Sequence, residues 1–247
     1  MRGLFACCAV LALLLAGIAP APALADGFTP QQRAEIVEVV RAALKADPSI
    51  LRDAVTALQD DEARAQQAAA RTAIPALADT LIRSPGDPFE GNPQGDVTVV
   101  EFTDVRCPYC RRMLPIMAEL VQRDHNVRVV LKDIPILGPG SVMGTKALLA
   151  AQKQNSYLKL RDAIMTGPAE ITAASLRSAA AKLGLDWERL QKDMADPATQ
   201  QRINANLELA SKLDIRGTPA FVIGTRMLPG AVGLEELQEA VAAARKP

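Results

Sequence analysis

Little in this chain suggests an ionic or aromatic binding surface. Histidine and tryptophan occur once each, and aromatic residues make up 3% of 247 residues. Lys plus Arg and Asp plus Glu both number 28, so neither sign of charge is in excess. A balanced chain has no field to steer a polyanion, which argues against nucleic acid or an anionic membrane surface as partner. The single histidine, His125, sits in Arg123-Asp124-His125-Asn126 and reads as a solvated loop residue. Cysteine is also scarce, at four residues: Cys7, Cys8, Cys107 and Cys110. Abundant alanine with few aromatics favours helices.

The one long apolar run is at the start. Arg2 is followed by a nearly unbroken apolar stretch from Leu4 to Ile18, then by Ala23-Leu24-Ala25 and the polar Asp26-Gly27. This is the pattern of a secretory signal peptide, residues 1–25, cleaved after a small-x-small site. The core is too short for a membrane anchor and runs at once into Pro and small residues. Cleavage leaves 222 residues with 27 basic and 28 acidic side chains. It also removes Cys7 and Cys8. Export places the two remaining thiols in an oxidising compartment, the periplasm.

Residues 26–83 read as a helical N-terminal arm. Thr29-Pro30-Gln31-Gln32 is a helix start: a hydroxyl cap, Pro at the first position and Gln at the third. Ile36, Val40 and Leu44 repeat at helical spacing; Asp47-Pro48 restarts a helix with Leu51, Val55 and Leu58 on one stripe. Between Gln59 and Ala73 no large apolar residue occurs; Ile74, Leu77 and Leu81 resume the stripe. Such an arm either folds onto its own domain or buries its stripes against copies of itself, giving a homo-oligomer through residues 29–82.

Residues 84–96, rich in Pro, Gly and Asp, read as a linker. The domain proper then spans 97–247. Val97-Thr98-Val99-Val100-Glu101-Phe102 is a short buried strand, a helix starts near Cys107, and Val127–Lys132 is a second strand. This βαβ unit implies a parallel pair. A helical insertion follows, at about 141–213, with Trp187 packed among its helices. Ala220–Gly224 is a third strand and Leu234–Ala244 a closing helix. The fold class is therefore α/β.

The chemistry lies in Cys107-Pro108-Tyr109-Cys110. A thiol attacks as its thiolate. Cys107 falls where a strand ends and a helix begins, so free backbone N–H groups and the helix dipole favour negative charge there. Pro108 suits the first helical position, and Cys110 lies one turn on, within reach of Cys107. These features make Cys107 the nucleophile and Cys110 the resolving thiol. Arg106, Arg111 and Arg112 add nearby positive charge. Two other readings are weaker. A zinc site wants four ligands, and the mature chain has one histidine and no third cysteine. A structural disulfide would close so small a loop that it would constrain the unfolded chain little. The exchange chemistry needs neither cofactor nor metal.

Glu101 to Pro115, with the cysteine pair and a helix proline eight residues after Cys107, together with Arg216-Gly217-Thr218-Pro219-Ala220-Phe221-Val222-Ile223, resembles the thioredoxin superfamily. The helical insertion makes it most similar to the DsbA-like branch, over roughly residues 90–245. Signal, arm, linker and Cys-Pro-Tyr-Cys together resemble the suppressor-of-copper-sensitivity protein C group. The resemblance implies a thioredoxin fold with a cis Thr218-Pro219 bond facing the cysteines and shaping a substrate groove. It implies that Glu101 is the buried acid that helps protons reach Cys110, with Lys132 as its charge partner; an ordinary strand-end ion pair is the other reading of those two. Tyr109 stands where the DsbA motif has histidine, and a neutral phenol cannot add that residue's positive charge. The implied activity is periplasmic disulfide isomerisation or reduction on unfolded or misfolded exported proteins, reset by a membrane redox partner. A dithiol oxidase is the alternative within the family. Cu(I) binding by the two thiolates is the alternative outside it.

Overall fold

The computed structural model describes residues 27–168 and 170–246; the expected signal peptide lies outside the described residues. The chain divides into two compact units, one reaching to Gln59 and one beginning at Asp60.

The first unit holds α1 (Pro30–Ala46) and the opening turns of α2 (Ser49–Ile82). Thr29 caps α1 as expected: its Oγ1 accepts from the Gln32 amide, and the Gln32 side chain accepts from the Thr29 amide. No residue of α1 is buried. Ile36, Val37, Val39 and Val40 are exposed, and so are Ile50, Leu51, Val55 and Leu58 of α2.

The second unit is an α/β domain around a five-stranded sheet in the order β1-β3-β2-β4-β5. Its strands are β1 (Phe89–Gly91), β2 (Val97–Thr103), β3 (Val127–Asp133), β4 (Ala220–Ile223) and β5 (Arg226–Pro229). The expected βαβ unit forms: β2, α3 (Pro108–Arg123) and β3, with β2 and β3 parallel. β4 runs antiparallel to β2, and β5 antiparallel to β4. The helical insertion comprises α4 (Pro139–Gln152), α5 (Tyr157–Thr166), α6 (Ala173–Lys182), α7 (Trp187–Met194) and α8 (Pro197–Lys212); α9 (Leu234–Ala244) closes the chain. Trp187 packs against the main core among these helices.

Period-two alternation splits the sheet's side chains between two cores. Val97, Val99, Val127, Val129 and Leu131 face α3, α9 and the insertion. Val100, Phe102 and Val130 face the other way, toward Ile74 and Leu81 of α2 and Leu209 and Leu213 at the end of α8. Two expected boundaries therefore shift. The stretch 60–82 belongs with the second unit, because Ala70, Ile74 and Leu81 cover the sheet's second face. The expected linker 84–96 contains β1, which pairs antiparallel with β3. Turn formers flanking a three-residue strand masked its pattern.

Candidate active site

Four features hold Cys107 at the carboxyl end of β2. It is the N-cap of α3 with extended backbone (φ −67°, ψ 121°), and Pro108 follows at the first helical position. Its amide donates to the Asp104 carbonyl at 3.0 Å, and its carbonyl accepts from the Arg111 amide at 3.1 Å. The Asp104 carboxylate, fully buried, ties the turn down: Oδ1 accepts from the Arg106 amide (2.8 Å) and Ser141 Oγ (2.7 Å), and Oδ2 from the amides of Ile136 (2.9 Å) and Leu137 (3.1 Å). Charge-assisted bonds of this number fix a loop that has no regular structure of its own.

Cys107 and Cys110 are both free thiols. Cys110 sits one turn into α3 beneath Cys107, and its thiol is pushed up to about 12, chiefly by burial; the charges of Cys107 and Glu101 add to this, against the Thr103 and Asp104 hydrogen bonds. Cys110 thus holds its proton while Cys107 occupies the helix N-terminus.

Thr218 and Pro219 meet this pair. The Thr218–Pro219 bond is cis, and Thr218 O accepts from Cys107 Sγ at 3.1 Å. Register explains the meeting: Phe102 pairs with Ala220, so the residues before Ala220 lie beyond the end of β2, beside the Cys107 turn. A groove of about 590 Å³ opens here. Gly217, Thr218 and Pro219 form one side, Ala65 and Ala69 of α2 the other, with Pro229 at one end. Gln67 secures the α2 wall, donating to Thr225 O (3.2 Å) and accepting from the Met227 amide (3.2 Å). Glu62, Gln66 and Arg216 also line the groove and give it polar groups beside its small residues.

The dipeptide between the cysteines faces outward. Tyr109 is 52% exposed, and the Arg112 guanidinium stacks on its ring, 4.4 Å from the centroid. The other two arginines are engaged with carbonyls. Arg106 Nη1 donates to Leu137 O (2.6 Å), and Arg111 Nη1 to Met165 O (2.9 Å) and Gly167 O (2.8 Å). His125 is exposed in its loop.

Glu101 and Lys132 do not pair, and this corrects the charge partnership expected between them. Lys132 sits opposite Phe102 in the β2–β3 register, whereas Glu101 sits opposite Leu131. The two side chains therefore point to opposite faces of the sheet. Lys132 Nζ instead binds Asp87 Oδ2 (2.6 Å) and Thr80 O (2.7 Å) in the second core; Arg202 binds the other oxygen of Asp87 at 2.7 Å. Burial holds Lys132 below the usual lysine range, with Asp87 opposing.

Glu101 is buried on the cysteine face, the position the resemblance implied for it. Burial raises its carboxyl from 4.5 to about 7; Arg161 opposes this, and Glu90 and Asp133 add to it. The Thr103 hydroxyl lies within hydrogen-bonding reach of both Glu101 and Cys110. Beside them is a group that sequence reasoning missed: Asp133, Tyr157 and Arg161. Tyr157 OH donates to Asp133 Oδ2 at 2.8 Å, and Arg161 binds Glu90 and Asp162, each at 3.0 Å. Asp133 had a detectable signal, since it lies two residues beyond Leu131 on the cysteine face. Tyr157 and Arg161 had none, because the insertion's packing is not readable from its periodicity. Asp104 was visible only as a turn former three residues before Cys107.

Comparison with known proteins agrees with this geometry. Residues 98–242 match the family described as DSBA-like thioredoxin domain, and residues 32–70 match the copper resistance protein ScsC N-terminal domain. A thioredoxin-like oxidoreductase from Silicibacter pomeroyi DSS-3 is 43% identical, covering 68% of this chain and 98% of its own, with a TM-score of 0.67. Proteus mirabilis ScsC in a transitional conformation is 31% identical over 88% of this chain and 98% of its own, with a TM-score of 0.64. Among curated proteins, Na(+)/H(+) antiporter NhaA 3 of Salinispora tropica is 31% identical over 160 residues; the match takes in 64% of this chain and 24% of the antiporter. The chain thus spans about a quarter of that relative's length.

Proposed function

This chain belongs to the DsbA-like thioredoxin family of thiol–disulfide oxidoreductases, and from that we propose that it isomerises and reduces disulfides in exported proteins of the periplasm. One observation carries the reading: Cys107, at a helix N-terminus, bonds through its sulfur to Thr218 O, Thr218 and Pro219 line an open groove, and a protonated Cys110 lies behind. The Cys107 thiolate attacks one sulfur of a substrate disulfide; the other substrate sulfur leaves as a thiolate and takes a proton. The substrate segment lies in the groove as a mixed disulfide. If Cys110 attacks Cys107, the substrate leaves reduced and the enzyme is oxidised; if a substrate thiol attacks instead, a rearranged bond results. A membrane redox partner re-reduces the oxidised pair. The exposed apolar stripes of residues 29–59 support assembly into a homo-oligomer, in which several sites can hold one substrate during shuffling. The N-terminal signal pattern supports export, and among the described residues no helix is long and apolar enough to cross a membrane.

Refolding of a substrate protein with scrambled disulfides tests the proposal. The wild type restores its activity, Cys107→Ser does not, and Cys110→Ser accumulates a trapped mixed disulfide. An enzyme that only oxidises reduced substrate, and leaves scrambled bonds untouched, would establish the dithiol oxidase instead.

The match to a copper resistance protein's N-terminal domain favours a second reading, Cu(I) held by the two thiolates. Ala69→Trp separates the two. It fills the groove, so exchange with a protein substrate falls while a small disulfide still reacts, and Cu(I) affinity stays unchanged. Copper tolerance that survives this change in cells would identify metal binding as the function.

A further inference from the structure

On the sheet face that carries Cys110 two buried carboxyl groups, Glu101 and Asp133, have no salt bridge among the described residues. Glu101 projects from β2 and Asp133 from β3, on the same face of the sheet. Asp133 is 1% exposed; its Oδ2 accepts from Tyr157, and its Oδ1 is buried with no hydrogen-bond partner. The nearest positive charge is Arg161, already committed to Glu90 and Asp162. Lys132, one residue from Asp133, is held on the far side by Asp87. The other groups that face Asp133 are Asp104 in the β2–α3 turn and Arg202 on α8, the latter bound to Asp87. Two ionised carboxylates buried on this face, with Arg161 bound to Glu90 and Asp162 and Arg202 bound to Asp87, repel, and one proton relieves the repulsion. An unpartnered buried oxygen on Asp133 is where such a proton finds a place.

We propose that Asp133 is a positioning residue for disulfide exchange: Asp133 and Glu101 hold one proton between them, and the pair as a unit takes the proton that Cys110 gives up. The inference rests on the proposed exchange activity. In the resolving step the Cys110 thiol passes its proton, by way of Thr103, to the pair, which goes from one proton to two. The Cys110 thiolate then attacks Cys107 Sγ, the Cys107–substrate bond breaks, and the substrate sulfur leaves as a thiolate that takes a proton from water. In re-reduction the pair returns the proton to Cys110. Burial raises both acids to about 7, in keeping with a pair half-loaded near neutrality. Such coupled groups titrate as a pair rather than singly.

The test is single-turnover release of a fluorescent thiol peptide from a Cys107 mixed disulfide, followed over about pH 5 to 9, the span in which a pair raised this far titrates. In the wild type, release slows as pH falls and the pair takes up its second proton. Asp133→Asn keeps an acceptor for Tyr157 and removes the like charge. The doubly protonated pair then lacks its more acidic member, Glu101 must ionise alone, and the acid limb moves up. Glu101→Gln removes the limb and slows release on the order of 10²-fold. Tyr157→Phe leaves the charges in place but weakens Asp133 as an anion; Asp133 then keeps the proton, and the limb moves the same way by less. A limb unmoved in both folded Asp133→Asn and folded Tyr157→Phe overturns the pair, whatever the plateau rates. A wild type that releases no peptide at any pH overturns the exchange activity itself, so the two failures are distinguishable.

Discussion

Two residues near the cysteines bear a cost that the pH dependence of stability exposes. Glu101 rises from 4.5 to about 7 and Asp133 from 3.8 to about 7, each chiefly through burial. A folded-state value above the unfolded one means that the native state binds extra protons between the two. Their contribution is therefore fully present below about pH 4 and is lost as pH rises through about 7. For Glu101 the loss is on the order of 3 kcal/mol at 1.4 kcal/mol per unit. Urea unfolding of Glu101→Gln beside the wild type checks the sign: the variant gains relative stability as pH is raised from about 5 to 8. A difference that stays flat with pH would mean that Glu101 is not desolvated in the folded protein. Cys107 and Cys110 were legible as residues because their spacing, the helix-starting Pro108 and the strand before them all point to one chemistry. Asp104 was not, because its role comes from donors at Ile136, Leu137 and Ser141, more than 30 positions away.

At the scale of elements, β2, β3 and β4 were readable as β-branched runs, and α3 and α9 as apolar periodicities. The strands β1 and β5 were not, being three and four residues long and bounded by turn formers. The misassigned Glu101–Lys132 pair has a specific cause. Strand membership was right, but which face each residue takes depends on register, and Glu101 lies opposite Leu131 rather than Lys132. Lys132 belongs to a clamp that joins β3 to Thr80 at the end of α2, to Asp87 before β1 and, through Asp87, to Arg202 on α8. Removing one partner of a buried ion pair leaves the other uncompensated. Lys132→Met should lower unfolding free energy by about 3–5 kcal/mol in urea titration. It should leave the acid limb of mixed-disulfide resolution where it is, since the clamp lies across the sheet from Cys110. A shifted limb would mean that the two faces communicate.

At the scale of the whole molecule, the unit ending at Gln59 keeps its apolar side chains in water, whereas the stripe of residues 70–81 is absorbed into the second core. Sequence periodicity alone could not separate these fates, because both stretches carry apolar residues at helical spacing and only the sheet's free face decides which is covered. Exposed stripes of this kind commonly mark association surfaces. Light scattering should therefore give a mass above that of one chain, and Val40→Lys with Leu51→Lys should reduce it to one chain without lowering the midpoint of urea unfolding. A single-chain mass for the unaltered protein would remove assembly from the account. The sheet itself has a practical consequence. Its backbone works as a partition: the proposed proton route lies on one side and the bracing of the scaffold on the other. An engineer can therefore retune the pH response of exchange at positions 101, 103 and 133, and harden the protein against heat at positions 87, 132 and 202, as two independent libraries whose winners should combine without penalty.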